Sequence, residues 1–60
     1  MYNKLKGKRT EKGYSQRKIA KVLGISANAY NQKENGAYPF KLDEIYKLLK
    51  ILECKFEDIF

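Results

Sequence analysis

Residues 16–36, reading QRKIAKVLGISANAYNQKENG, leave this chain little choice of fold. Ser15 and Ser26 each precede a run of helix-compatible residues, and a serine there accepts a hydrogen bond from the free N–H groups of a first helical turn. Gly24 stands between the two runs, where the chain must turn sharply and a positive φ costs glycine little. Ala20 is small where two crossing helices approach, and Ile19, Leu23 and Ile25 supply apolar anchors on both sides of the turn. The segment therefore predicts two short helices joined by a glycine-centred turn. In that arrangement the second helix can enter the DNA major groove.

The second of these helices carries an unusual surface. At 3.6 residues per turn, Asn28, Asn31, Gln32 and Asn35 fall on one side, roughly opposite Tyr30. Propensity alone would place Glu, Lys or Ala on a solvated face. Amides gain little there from folding, but each can donate and accept, as base edges require.

Sixty residues fit one domain, taken as residues 1–60. A chain this short buries only roughly 60% of its unfolded surface, so its stability is expected to be marginal. One cysteine and no histidine rule out a disulfide framework and the usual zinc ligand sets. Cys54 reads as a small core or boundary residue, because no histidine is present to activate its thiol. No catalytic, metal or cofactor site is expected. There is no nucleophile–base pair and no phosphate-cradling loop. Without a long apolar run or a signal-like core after Met1, the chain is expected to be soluble and cytoplasmic, with no membrane partner.

The net charge of +6 is unevenly placed. Residues 1–41 hold ten Lys/Arg against Glu11 and Glu34, whereas residues 42–60 hold three lysines against five carboxylates. The positive field thus surrounds the two-helix unit, where it would attract a polyanion and weaken with salt.

Five helices are expected along the chain, with no β-alternation of useful length. The first spans residues 3–12 and stops at Gly13, the second 16–23, and the third 27–35 with Gly36 ending it. The fourth begins near Leu42, with Asp43 and Glu44 suited to a positive helix N-terminus. Its apolar stripe is Leu42, Ile45, Leu48, Leu49 and Leu52, and Tyr46 flanks it. The fifth covers residues 56–60. Glu34 looks misplaced, since a carboxylate in a last helical turn opposes the macrodipole by roughly 0.3–1 kcal/mol. Arg9, on the apolar side of the first helix, could offset this as a bidentate partner.

Taken in order, Leu5, Arg9, Gly13-Tyr14-Ser15-Gln16, Ile19-Ala20, Leu23-Gly24-Ile25-Ser26 and Glu34-Asn35-Gly36 resemble the helix-turn-helix domain of phage repressors and Cro proteins. This is the XRE-like family of regulators, and the resemblance covers nearly the whole chain. It implies an all-α, lambda-repressor-like domain of five helices whose second and third form the helix-turn-helix. By the same resemblance, Ala27, Asn28 and Gln32 match positions that reach base edges, and Asn31 joins them on the amide face. Gln16 resembles a glutamine that contacts phosphate and braces the third helix, and Asn35 matches another phosphate position. Arg9 and Glu34 match an interhelical ion pair. Arg17, Lys18 and Lys41 lie near helix starts or the loop after the third helix, where DNA backbone contacts usually form.

The chain departs from the family pattern at five positions. Tyr30 replaces an aliphatic residue, so its hydroxyl needs water or a partner. Lys33 stands where many members are apolar. Lys41 and Lys55 replace hydroxyl caps, and Glu53 replaces a glycine.

The expected function is a sequence-specific regulator of double-stranded DNA, acting as a repressor without enzymatic activity. It is expected to bind a palindromic operator as a weak homodimer strengthened on DNA, through Phe56, Ile59 and Phe60, with no small-molecule ligand. The alternative is an antitoxin or antirepressor-type interaction module using the surface of the fourth and fifth helices. Tyr46 and Phe60 would be its anchors, although core filling is the plainer expectation for both.

Overall fold

The computed structural model describes residues 2–60, and its helix boundaries fall where the local chemistry puts them. The elements are α1 (Asn3–Glu11), α2 (Gln16–Leu23), α3 (Ala27–Glu34), α4 (Leu42–Leu52) and α5 (Phe56–Ile59), with no strand among the described residues. Ser15 Oγ accepts from the Lys18 N–H at 3.0 Å, and Ser26 Oγ accepts from the Ala29 N–H at 3.1 Å. These bonds occupy donors that the first turns of α2 and α3 would otherwise leave free. Gly24 ends α2 with φ 75°, and the Ile25 N–H returns to the Ala20 carbonyl at 3.0 Å. Lys12 and Asn35, expected as the last helical residues of α1 and α3, are caps just beyond them. Phe60 likewise follows α5, its N–H bonded to the Phe56 carbonyl.

Where hydroxyl caps are missing, carboxylates take over. The Lys41 backbone N–H donates to Glu44 Oε1 at 2.8 Å, and the Lys55 N–H donates to Asp58 Oδ2 at 3.0 Å. This is the returning half of a capping box, and it does not depend on the side chain at the cap. Glu53 ends α4 at φ 52°, ψ 51°, the left-handed region that glycine occupies freely. A residue with a Cβ is strained there by roughly 1–2 kcal/mol.

The core draws Leu5 from α1, Ile19, Ala20 and Leu23 from α2, Tyr30 from α3, Leu48 and Leu52 from α4, and Ile59 from α5. Three expectations are corrected at this level. Leu42 is exposed, because the inward line of α4 is Glu44, Leu48 and Leu52, spaced by four residues. Ile59, expected at a dimer contact, is fully buried in the core and offers no surface to a second copy. Tyr46 is also exposed and fills no core.

An aromatic cluster closes the molecule beside the α3–α4 loop. Tyr2 meets Phe60 edge-on at 5.2 Å and Phe40 at 5.8 Å, and Phe56 stacks on Phe60 at 5.0 Å between ring centres. The Tyr2 N–H donates to the Glu34 carbonyl at 3.0 Å, tying the chain's start to the end of α3. No helix among the described residues is long and apolar enough to cross a membrane.

Candidate nucleic-acid interface

The outward surface of α3 is set by what α3 buries. Tyr30 and Glu34, one turn apart, face the core, so Asn28 and Gln32 lie on the crest opposite them. Ala27 and Asn28 are exposed, while Asn31 and Gln32 are half-buried. The two flanks of α3 are held differently. Asn31 leans toward the start of α2, where Gln16 Nε2 donates to its Oδ1 at 3.0 Å. Lys33, on the other flank, extends its Nζ to both carboxylate oxygens of Glu44 in α4, at 2.7 and 2.8 Å.

Beneath this surface lies a buried polar network centred on Glu34. Arg9 Nε donates to Oε2 at 2.9 Å and Nη2 to Oε1 at 3.2 Å. Tyr30 Oη donates to Oε2 at 2.7 Å and Gln16 Nε2 to Oε1 at 3.1 Å. Arg9 Nη1 also donates to the Tyr14 carbonyl at 2.8 Å, joining the loop before α2 to the same guanidinium. Among the described residues, no buried side-chain polar atom lacks a hydrogen-bond partner. Burial would raise the Glu34 pKa, but hydrogen bonds from Arg9, Tyr30 and Gln16 outweigh it and hold the carboxyl below its usual range. The hydrogen bond to Glu34 in turn raises the Arg9 pKa against burial. Burial, and then the hydrogen bond to Glu34, push the Tyr30 hydroxyl far above the ordinary tyrosine value. The tyrosine that replaces an aliphatic residue thus spends its polar tip inside the network.

The Lys33–Glu44 pair was not foreseen from sequence, although two signals for it were present. Lys33 occupied a position where an apolar residue is common, and Glu44 sat at the third position of α4. Burial would raise the Glu44 pKa, but the hydrogen bonds from Lys33 and the Lys41 N–H prevail and lower it.

Around α3, the phosphate-contact residues expected from sequence occupy distinct settings. Arg17 and Lys18 are exposed in the first turn of α2, and Asn35 and Lys41 are exposed beyond α3. Gln16 is half-buried, and both hydrogens of its amide are spent on Asn31 and Glu34. Its side chain therefore has no donor left for a phosphate. Besides the Arg17 and Lys18 side chains, the donors remaining at this end of α2 are backbone N–H groups, which helix geometry aims outward along the axis.

In α5 and just after it, Phe56 is exposed and Phe60 half-buried. Cys54 is half-buried, and burial followed by the charge of Asp58 pushes its thiol pKa up, making it a poor nucleophile.

A family model described as helix-turn-helix matches residues 5–59, nearly the whole chain. An uncharacterized HTH-type transcriptional regulator of Bacillus subtilis (strain 168), YgzD, is 35% identical over 60 residues, covering 100% of this chain and 91% of its own length. An uncharacterized HTH-type transcriptional regulator of Methanocaldococcus jannaschii is 38% identical over 60 residues, with the same coverage of 100% and 91%. With its five helices, its capped α2–α3 unit and these relatives, the chain belongs to the XRE-like helix-turn-helix family of DNA-binding transcription regulators.

Proposed function

We propose that this chain is a sequence-specific repressor that lays α3 in the major groove of a palindromic operator and binds it as two copies. The observation that carries the reading is the crest of α3. Asn28 and Gln32 project from a helix held on one flank by Gln16 and on the other by Glu44. A rigid helix with free amides on its outer face suits base-edge reading, because amide groups bridge adenine N6 and N7. Exposed Arg17, Lys18 and Lys41, with the free N–H groups at the start of α2, suit the flanking phosphates. Ala27 is small and exposed at the start of α3, allowing close approach to a thymine methyl.

One helix contacts only a few base pairs, too little for genomic specificity, so two copies on half-sites about one helical turn apart are expected. Phe56 and Phe60 supply apolar area for the contact between copies, and Glu53, Glu57 and Asp58 limit its strength in free solution. Selection of duplexes from a random pool, followed by sedimentation with and without the selected site, tests the reading. The expected outcome is a palindrome bound by two copies of a chain that is monomeric at micromolar concentration. A 1:1 complex on a non-palindromic site at saturation would end the dimer model.

A second reading has a specific observation in its favour. Leu42 and Tyr46, one turn apart on α4, are 66% and 64% exposed, and Tyr38 is 57% exposed. Such side chains suit a protein partner of the antitoxin or antirepressor type. Co-purification of a stoichiometric partner that is lost on Tyr46→Ala would favour this reading.

A further inference from the structure

The buried charge of Glu34 fixes which way the amide of Asn31 faces, two side chains away. A carboxylate can only accept hydrogen bonds, so Gln16 must turn its NH2 group toward Glu34 Oε1, at 3.1 Å. The same Nε2 lies 3.0 Å from the Asn31 side chain, and its second hydrogen requires an acceptor there, which selects Oδ1. Asn35 Nδ2 approaches that oxygen as well, at 3.4 Å. Both lone pairs of Asn31 Oδ1 are therefore taken. What Asn31 has left is Nδ2, on which no described residue accepts. Among the described residues, the side-chain amides of Asn28 and Gln32 make no hydrogen bond, so they keep both functions.

An unrestrained asparagine reads adenine with two bonds, accepting from N6 and donating to N7. Asn31 cannot do this while Gln16 holds its oxygen. We propose that Asn31 reads its base pair as a donor only, to an acceptor such as guanine O6 or N7, thymine O4 or adenine N7, and gains nothing from the adenine N6 amino group, with Gln16 as the positioning residue that imposes the choice. The proposal rests on the major-groove reading of α3 above. It separates the amides of α3 into two kinds: Asn28 and Gln32 can recognise adenine, and Asn31 recognises an acceptor.

Selection from a random duplex pool with the wild-type chain and with Asn31→Ala identifies the base pair whose preference depends on Asn31. A base that presents an acceptor, guanine, thymine or adenine through N7, is expected opposite that side chain, with cytosine there bound about tenfold more weakly. Gln16→Ala releases Asn31 to rotate and accept from N6, and is expected to make adenine at that pair about tenfold tighter than a purine lacking the N6 amino group, leaving the other pairs unchanged. A simple loss of stability would instead weaken all duplexes alike. A second measurement needs no variant: adenine at that pair is replaced by purine, which lacks the N6 amino group. Wild-type binding to the two duplexes is expected to agree within about twofold, whereas two-bond reading makes adenine tighter by about tenfold. Wild-type binding to adenine about tenfold tighter than to purine overturns the proposal. So does an Asn31→Ala variant that weakens every sequence equally, which would place Nδ2 on a phosphate oxygen. If the wild-type chain enriches no duplex at all, the major-groove reading itself fails and takes this proposal with it.

Discussion

Glu34 accepts four hydrogen bonds from three side chains while 2% exposed. Its removal leaves the Arg9 guanidinium, 6% exposed, without its countercharge. Breaking a buried pair from one side costs about 3–5 kcal/mol. A core of this size rarely supplies more than about 3–5 kcal/mol in total. Glu34→Ala is therefore expected to be largely unfolded at 37 °C, and an unchanged melting temperature by circular dichroism would contradict the network's role. Glu53 makes the opposite case. Its left-handed backbone strains a residue with a Cβ, and its charge sits at the unfavourable end of α4. Glu53→Gly relieves the strain of about 1–2 kcal/mol at the cost of glycine's greater unfolded entropy. A net gain of about 0.5–1 kcal/mol is expected, or roughly 2–8 °C in a thermal melt.

The outward face of α3 depends on neighbouring elements to hold it still. On the α4 side of α3, Glu44 serves two helices at once by pairing with Lys33 and capping the Lys41 N–H. Glu44→Ala should cost about 3–5 kcal/mol, and more than Lys33→Ala, because only the former also frees the backbone donor at the start of α4. Denaturant midpoints of the two variants give the order. Under the proposed groove reading, crest and rim residues should separate in binding assays. Asn28→Ala or Gln32→Ala is expected to lose about 1–3 kcal/mol on the preferred site and to relax its preference there. Arg17→Ala should weaken all sequences alike and lower the salt slope by about one unit. Equal losses for Asn28→Ala on scrambled DNA would remove it from the base readers.

For the molecule as a whole, pH stability follows from the three buried acids. Glu34 and Glu44 are held below their usual range in the folded chain. An unfolded glutamate titrates near pH 4.3, so the stability these groups contribute is present above about 4.3 and is lost as pH falls through their folded values. Tyr30 has the opposite sign, because its folded pKa is raised. Its contribution is complete below about pH 10, where an unfolded tyrosine titrates, and declines as pH rises beyond that. A melting-temperature profile should therefore be flat through neutrality and fall at both ends. Glu44→Gln should flatten the acid limb, and an acid limb as steep as wild type would exclude Glu44 from it.

Much of this molecule is local and could be read from the chain alone. Ser15 and Ser26 as caps, Gly24 as the turn and the five helical runs depend on interactions within about one helical turn, which the sequence specifies by spacing. The Arg9–Glu34 pair was also legible, because a carboxylate in a last turn needs a compensating cation. Which residue faces inward was decided by helix crossings that bring together residues far apart in sequence. The line through Glu44, Leu48 and Leu52 turned Leu42 outward and drew Lys33 to Glu44. The packing of α5 against α1 put Ile59 in the core and left Phe56 outside. The orientation of Asn31 came last in this chain of causes. It follows from Gln16, which follows from a carboxylate that only the assembled helices bury.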